Sequence, residues 1–351
     1  MIKVLIVDDS AFMRKLISEI VNSSDKLTTV GKAKNGKEAL QMIETLKPDV
    51  ITMDVEMPVM NGQVALEKIM ASNPLPVVML SSVTKEGADS TMRALDAGAV
   101  DFITKPESIF KVKEEEIQND IIDKIIIASK VNVKKNSYLE DVKKSITLKK
   151  VNEIRKVKKG KLSKIIAIGT STGGPRALQH VIPKIPGDIN AAILVVQHMP
   201  PGFTKSLSER LNNISELEVK ESEGNEELLP GVVYIAPGDK HLKIKKTGTK
   251  FFTYLDDGNL VSGHKPSVDA LFNSINENGI KNAIGVIMTG MGKDGAKEMK
   301  TLRDNENYTI AQDEESCVVF GMPKSAIGIG AVSEVVELDK IASSIIKAME
   351  V

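Results

Sequence analysis

The stretch IKVLIVDDS (2–10) is an apolar run, rich in β-branched residues, that ends abruptly in two aspartates and a serine. Such a run predicts a strand buried on both faces, as in a parallel sheet. Ser10 suits an N-cap, so a helix is expected from there to about Val21. The alternation then repeats. Strands are expected at 28–33, 49–53, 76–80 and 100–103, and helices at 36–46, from near Gly62, at 86–96 and at about 112–128. Five β/α units imply a doubly wound parallel sheet, and ligands bind such sheets at the carboxyl ends of the strands.

Those ends carry reactive groups. Strand one ends in Asp8-Asp9, strand three in Asp54, strand four in Ser81-Ser82 and strand five in Lys105-Pro106. Clustered carboxylates repel unless a hard cation joins them, and Mg²⁺ takes oxygen ligands while keeping several waters. One aspartate could then attack a phosphoryl donor, with the metal and Lys105 neutralising the developing charge. Taken singly, the aspartates could be helix-capping or turn residues and Lys105 a surface lysine. Their joint placement at strand ends is what points to chemistry.

The second half opens with another apolar strand, KIIAIG (164–169), which runs into Thr170-Ser171-Thr172-Gly173-Gly174-Pro175. This fits G-x-S-x-G, a sharp strand-to-helix turn that exposes a serine. A glycine-rich turn could equally hold a phosphate at a helix N-terminus. The dinucleotide fingerprint G-x-G-x-x-G is absent, and the next long strand, AAILVVQ (191–197), ends in Gln197-His198 without the acid that would hold a ribose. A serine nucleophile needs a base and a group to orient that base. Of the histidines at 180, 198, 241 and 264, His198 follows a strand and is the expected base; His180 is expected to point outward from a helix. The strand AIGVIM (283–288) runs into TGMGKDGA (289–296), where Asp294 could cap the next helix, orient His198, or do both. The chain order Ser…His…Asp differs from the Ser…Asp…His of α/β-hydrolases. Cys317 lies in an apolar context and reads as a buried structural thiol rather than a rival nucleophile.

Composition bounds the function. The 351 residues predict about two domains at roughly 150 residues each. Lys and Arg number 47, as do Asp and Glu, which argues against a dedicated nucleic-acid binder. The balance hides a pattern. Residues 1–129 carry 15 basic and 20 acidic side chains, residues 130–164 carry 13 and 3, and the remainder 19 and 24. The basic stretch reads as a linker. One cysteine excludes a disulfide framework within the chain. No apolar run approaches the ~18 residues of a membrane span, and no signal peptide is expected, so the expected location is cytoplasmic. The absence of Trp disfavours stacking platforms for bases or sugars.

Two resemblances follow from these motifs. VDDS (7–10), MDVEMPVMNG (53–62), VVMLSS (77–82) and ITKP (103–106) resemble the bacterial response-regulator receiver domain, across 1–125. That implies a flavodoxin-like (βα)5 fold and phosphoryl transfer from a histidine kinase to Asp54. It also implies Mg²⁺ held by Asp9, Asp54 and the backbone carbonyl of Glu56, with Asp8 behind them, Ser81 as the switch hydroxyl where Thr is frequent, and Lys105 as the pocket lysine. IGTSTGGP (168–175), QHMPPGFT (197–204), APGDKHL (236–242), HKPSVDALF (264–272), TGMGKDGA (289–296) and AQDEESCVVFGMP (311–323) resemble the catalytic domain of the chemotaxis protein-glutamate methylesterase (CheB) family. That implies a doubly wound, mostly parallel α/β domain over 164–351, joined to the receiver by a linker at 126–163. It implies hydrolysis of glutamate methyl esters on chemoreceptors, with glutamine deamidation in some members and no cofactor for the hydrolysis. Ser171 is then the nucleophile, His198 the base, Asp294 its orienting acid, and the backbone N–H of Met291 the oxyanion donor, helped by Thr172. Thr170 stands where Ala is frequent. The implied partners are chemoreceptors and a histidine kinase, with no nucleic acid and no membrane insertion, and a monomer is expected. The unphosphorylated receiver is expected to cover the Ser171 cleft. Two other classes fit less well: a DNA-binding response regulator, whose output would be shorter than this α/β half, and a catalytically dead scaffold, against which the intact triad residues stand.

Overall fold

The computed structural model describes residues 1–105, 115–131, 133 and 162–350. Most of the expected linker, and the first residues of the helix expected from 112, lie outside the described residues. The chain divides into two compact units, Met1–Lys144 and Ser145–Val351.

The first unit alternates strand and helix as its apolar runs dictate. Its strands are β1 (Ile2–Val7), β2 (Leu27–Ala33), β3 (Val50–Asp54), β4 (Val77–Ser81) and β5 (Asp101–Thr104). Between and after them come α1 (Ala11–Ser23), α2 (Gly36–Leu46), α3 (Gly62–Ser72), α4 (Lys85–Asp96) and α5 (Glu115–Ala128). Ser10, Asn35, Asn61 and Thr84 cap α1 to α4, each side chain accepting a backbone N–H of the first turn. The sheet is parallel in the order β2-β1-β3-β4-β5. The strand expected at 49–53 is displaced by one residue. Asp54 is itself the last strand residue, paired with Leu80, while the Asp49 carboxylate accepts from Lys3 N at 2.8 Å before the strand begins. The order reverses between β1 and β3, so Asp8-Asp9 and Asp54 flank the switch point where such sheets bind ligands.

The second unit centres on a seven-stranded parallel sheet. Its strands are β6 (Lys164–Thr170), β7 (Ala191–Gln197), β8 (Glu218–Glu221), β9 (Val232–Ile235), β12 (Ala283–Ile287), β13 (Tyr308–Gln312) and β14 (Glu334–Val336), in the order β14-β13-β12-β6-β7-β9-β8. An antiparallel hairpin, β10 (His241–Thr247) with β11 (Lys250–Asp256), lies outside that sheet. The helices that bear on the site are α6 (Gly174–Val181) after β6, α7 (Phe203–Ile214) after β7, α8 (Val268–Glu277) before β12 and α9 (Ala296–Asp304) after it. The C-terminal helix spans Leu338–Ala348. Phe272, Tyr234, Leu271 and Met299 are among the buried residues that pack α8, α9 and the hairpin onto the sheet. The chain builds outward from β6 on one side, then returns to build the other from β12. Ser171, His198 and the loop after β12 therefore meet at this sheet's own switch point. No helix among the described residues is long and apolar enough to cross a membrane.

Candidate functional site

In the first unit, the carboxyl ends of β1, β3, β4 and β5 converge. Asp8 is fully buried, Asp54 nearly so, and Asp9 is exposed. Lys105 Nζ lies 2.9 Å from Asp8 Oδ2 and 2.7 Å from Asp54 Oδ2. Oxygens of Asp8, Asp9 and Asp54 fall within 4.8 Å of one another. Three carboxylates against one ammonium leave an excess of negative charge, all of it on hard oxygen donors. That donor set fits a divalent cation such as Mg²⁺. Burial pushes the Asp54 carboxyl up to about 6; Lys105 pulls against this and the Asp8 charge adds to it. Lys105, which burial would depress, is instead held above its ordinary value by the two carboxylates. Arg14, which the sequence reading did not single out, donates from Nη1 to the carbonyls of Asp8 and Asp9 at 2.8 and 2.9 Å. It braces the turn that presents them. Ser81 Oγ donates to Gly87 O at 3.1 Å and accepts from Thr91 Oγ1 at 2.7 Å. The expected switch hydroxyl is thus tied to the first turns of α4.

In the second unit, β6 and β7 end side by side, with Thr170 paired to Gln197 and His198 N bonded to Thr170 O at 3.2 Å. Ser171 and His198 are thus the first residues past the ends of two neighbouring paired strands. Ser171 N donates to Thr289 O at 3.1 Å, and Gly174 N to Ser171 O at 2.7 Å, which closes the tight turn of the G-x-S-x-G segment. Thr289 braces the turn a second time, its hydroxyl donating to Thr172 O at 2.9 Å. Gly290 packs directly on the serine. A Cβ there would lie 2.8 Å from Ser171 Cβ and 2.4 Å from Met322 Sδ. Met291, the expected oxyanion donor, follows Gly290 directly in the chain.

His198 Nε2 lies 2.8 Å from Asp294 Oδ2, with Asp294 buried. His198 Nδ1 is buried and has no hydrogen-bond partner among the described residues. A carboxylate only accepts, so Nε2 carries the proton and Nδ1 holds the lone pair. Asp294 has four donors among the described residues. Besides His198, Ser267 Oγ donates to Oδ1 at 2.8 Å, Val268 N to Oδ2 at 2.7 Å and Asp269 N to Oδ1 at 3.0 Å. Burial works against its charge, but the His198 ring and these N–H groups outweigh it and hold the carboxyl below the usual range.

The structure corrects several expectations. Asp294 does not cap the helix that follows it: Gly295 is the N-cap of α9, and no side chain makes a cap bond there. It sits instead on the N-terminus of α8, a helix earlier in the chain, whose first N–H groups and dipole favour an anion. His180 does not point freely outward, because its Nε2 engages Asp339 of the C-terminal helix. Cys317 is half-buried rather than buried. Burial first, then the charges of Asp313 and Glu314, push its thiol up to about 12, which leaves it a poor nucleophile. His264, to which the sequence assigns no role, stacks its ring on His198 at 3.9 Å between centroids and 17° between planes. The motif HKPSVDALF contains both His264 and Ser267, but no spacing rule ties His264 back to His198 or Ser267 forward to Asp294.

Comparison with known proteins adds to this geometry. The family described as CheB methylesterase matches residues 166–345, and the family described as response regulator receiver domain matches residues 4–117. A protein-glutamate methylesterase/protein-glutamine glutaminase of Halalkalibacterium halodurans is 47% identical over 99% of this chain and 98% of its own length. Its counterpart in Bacillus subtilis is 46% identical over 98% of each chain. The crystal structure of the Thermotoga maritima CheB methylesterase catalytic domain is 48% identical and superposes with a TM-score of 0.51, covering 54% of this chain and 98% of that one.

Proposed function

The chain belongs to the CheB methylesterase family and carries a response-regulator receiver domain, and from that premise we propose that it hydrolyses glutamate methyl esters, and deamidates glutamines, on chemoreceptors under phosphoryl control. The observation that carries the chemistry is the His198–Asp294 pair at the end of β7, next to Ser171 and with one imidazole nitrogen left to accept a proton.

In the proposed mechanism Ser171 Oγ attacks the ester carbonyl carbon and its proton passes to His198 Nδ1. The Nε2 proton stays on the imidazole, held by Asp294, which stabilises the imidazolium by charge. The carbonyl oxygen, now an oxyanion, is met by Met291 N–H, with Thr172 beside it. Removal of one such donor typically costs about 2.7–4 kcal/mol. The tetrahedral adduct collapses as His198 returns its proton to the leaving methoxide, and methanol departs. Water, deprotonated by the same nitrogen, then cleaves the Ser171 acyl ester to free the glutamate. With a glutamine substrate the leaving group is ammonia and the proton path is unchanged. No cofactor is needed for these steps.

In the receiver, Asp54 is the proposed nucleophile towards a phosphoryl group donated by a histidine kinase. Asp9, Asp54 and the backbone carbonyl of Glu56 would hold Mg²⁺, with Asp8 behind them. When bound, the cation supplies charge neutralisation for the phosphoryl oxygens. Lys105 would add its own positive charge, and Ser81 would offer its hydroxyl once it leaves Gly87 and Thr91. A cytoplasmic monomer with chemoreceptors and a kinase as partners is part of the same reading.

The test of the catalytic assignment is methanol release from methylated chemoreceptor membranes by wild type and Ser171→Ala. Release that vanishes in the variant supports it. Release that persists at the wild-type rate removes Ser171 as nucleophile.

A further inference from the structure

The side chain of Gln197 bridges the two turns that carry Ser171 and His198. Gln197 is the last residue of β7 and is 2% exposed. Its Nε2 donates to the carbonyl oxygens of Ser171 at 3.0 Å and His198 at 3.2 Å. Its Oε1 accepts from Thr170 Oγ1 at 2.6 Å. The orientation of the amide follows from donor and acceptor chemistry. Two carbonyl oxygens only accept, so the NH₂ end must face them, and the oxygen end then needs a donor, which the fully buried Thr170 hydroxyl provides. The chain makes room for this side chain: a Cβ on Gly174 would lie 1.9 Å from Gln197 Oε1.

We propose that Gln197, oriented by Thr170, is a positioning residue that sets the separation of Ser171 and His198 for proton transfer. The bond from His198 N to Thr170 O lies at the very end of the strand ladder, and past it the carboxamide is a strut between the two turns. Proton transfer needs the heavy atoms within about 2.6–3.2 Å, and a misplacement of about 1 Å costs about 100-fold in rate. Neither side chain touches the reacting atoms, because both act through main-chain carbonyls or through each other. The inference rests on the reading of Ser171 and His198 as nucleophile and base.

The test uses the full-length chain and the variants Gln197→Met, Thr170→Val, Thr170→Ser and Ser171→Ala. Active sites are counted by reaction to completion with a fluorophosphonate, which bonds to Ser171 Oγ with loss of fluoride, and methanol release is expressed per titrated site. Gln197→Met, similar in size but without a donor, is expected to lower kcat per site by about tenfold or more with KM within about twofold. Thr170→Val is expected to lower it less, and Thr170→Ser, which keeps the hydroxyl, to restore it. Fewer titratable sites or a lower Tm with kcat per site unchanged would mean a structural role only, and would overturn the proposal. If Gln197→Met does not fold, the Thr170→Val and Thr170→Ser pair decides by the same criterion. Wild-type release by Ser171→Ala would overturn the catalytic reading and this inference together. An inactive Ser171→Ala beside variants of normal per-site kcat would overturn the strut alone.

Discussion

His198 engages Asp294 through Nε2 and, among the described residues, leaves Nδ1 unpartnered, and that choice makes a sharp prediction for Asp294→Asn. Ser267 Oγ and the N–H groups of Val268 and Asp269 all donate towards position 294. An asparagine whose oxygen keeps the Ser267 Oγ and Asp269 N–H bonds at the Oδ1 place turns its NH₂ to His198. The imidazole then accepts at Nε2 and carries its proton on Nδ1, so the base is lost. Methanol release is expected to fall by about 10⁴-fold, and a fall of less than about tenfold would contradict the ring assignment. The receiver aspartate makes a second prediction. Burial raises the Asp54 carboxyl from 3.8 to about 6, so the folded chain binds this proton more tightly than the unfolded chain does. Stability therefore falls as pH rises from about 4 through 6 and stays lowered above that. Asp54→Asn, without a charge to bury, is expected to raise the receiver's thermal midpoint in metal-free buffer at pH 7.5 and to change it little at pH 4. Equal midpoints at pH 7.5 would count against the buried-charge account. Residues that end apolar runs, such as Asp54, Ser171 and His198, were legible in the sequence because strand ends announce themselves. His264 and Gln197 were not, since stacking and amide bridges leave no periodic trace.

At the scale of elements, many of the strands and most helices could be read from their apolar runs and caps, with shifts of a residue or so at their ends. What could not be read is how distant elements serve one group. The N-terminus of α8 reaches Asp294 across some 25 positions of chain, and a motif search assigns such a helix only its own N-cap, Ser267. The β10–β11 hairpin and the strands β8, β9, β13 and β14 are not among the strands expected from the sequence; they are 3 to 7 residues long. The loop after β12 allows a test of element packing. In Gly290→Ala the new methyl group would stand 2.8 Å from Ser171 Cβ and 3.0 Å from Ser171 N. The nucleophile turn must yield, and kcat is expected to drop by about 100-fold. Phosphoryl uptake at Asp54, which depends on the other unit, should be unaffected. Normal kcat in this variant would mean that the loop does not press on the serine.

In the whole molecule, two parallel sheets each place their chemistry at their own switch point: carboxylates and a lysine in one, and a serine, a histidine and an aspartate in the other. Both arrangements follow from strand order, which is why the two-domain plan was legible from alternating apolar runs. The basic stretch between the units was legible only as composition, because charge without periodicity specifies no element. An esterase joined to a phosphoacceptor in one chain is the feature that the account must explain, and it does so by letting phosphorylation shift the population of competent enzyme. The most direct test is the initial rate of methanol release by the full-length chain with Mg²⁺, with and without a small-molecule phosphodonor, beside Asp54→Ala. The account predicts a faster rate with the donor in wild type and no response in the variant. Equal rates in all three would contradict it.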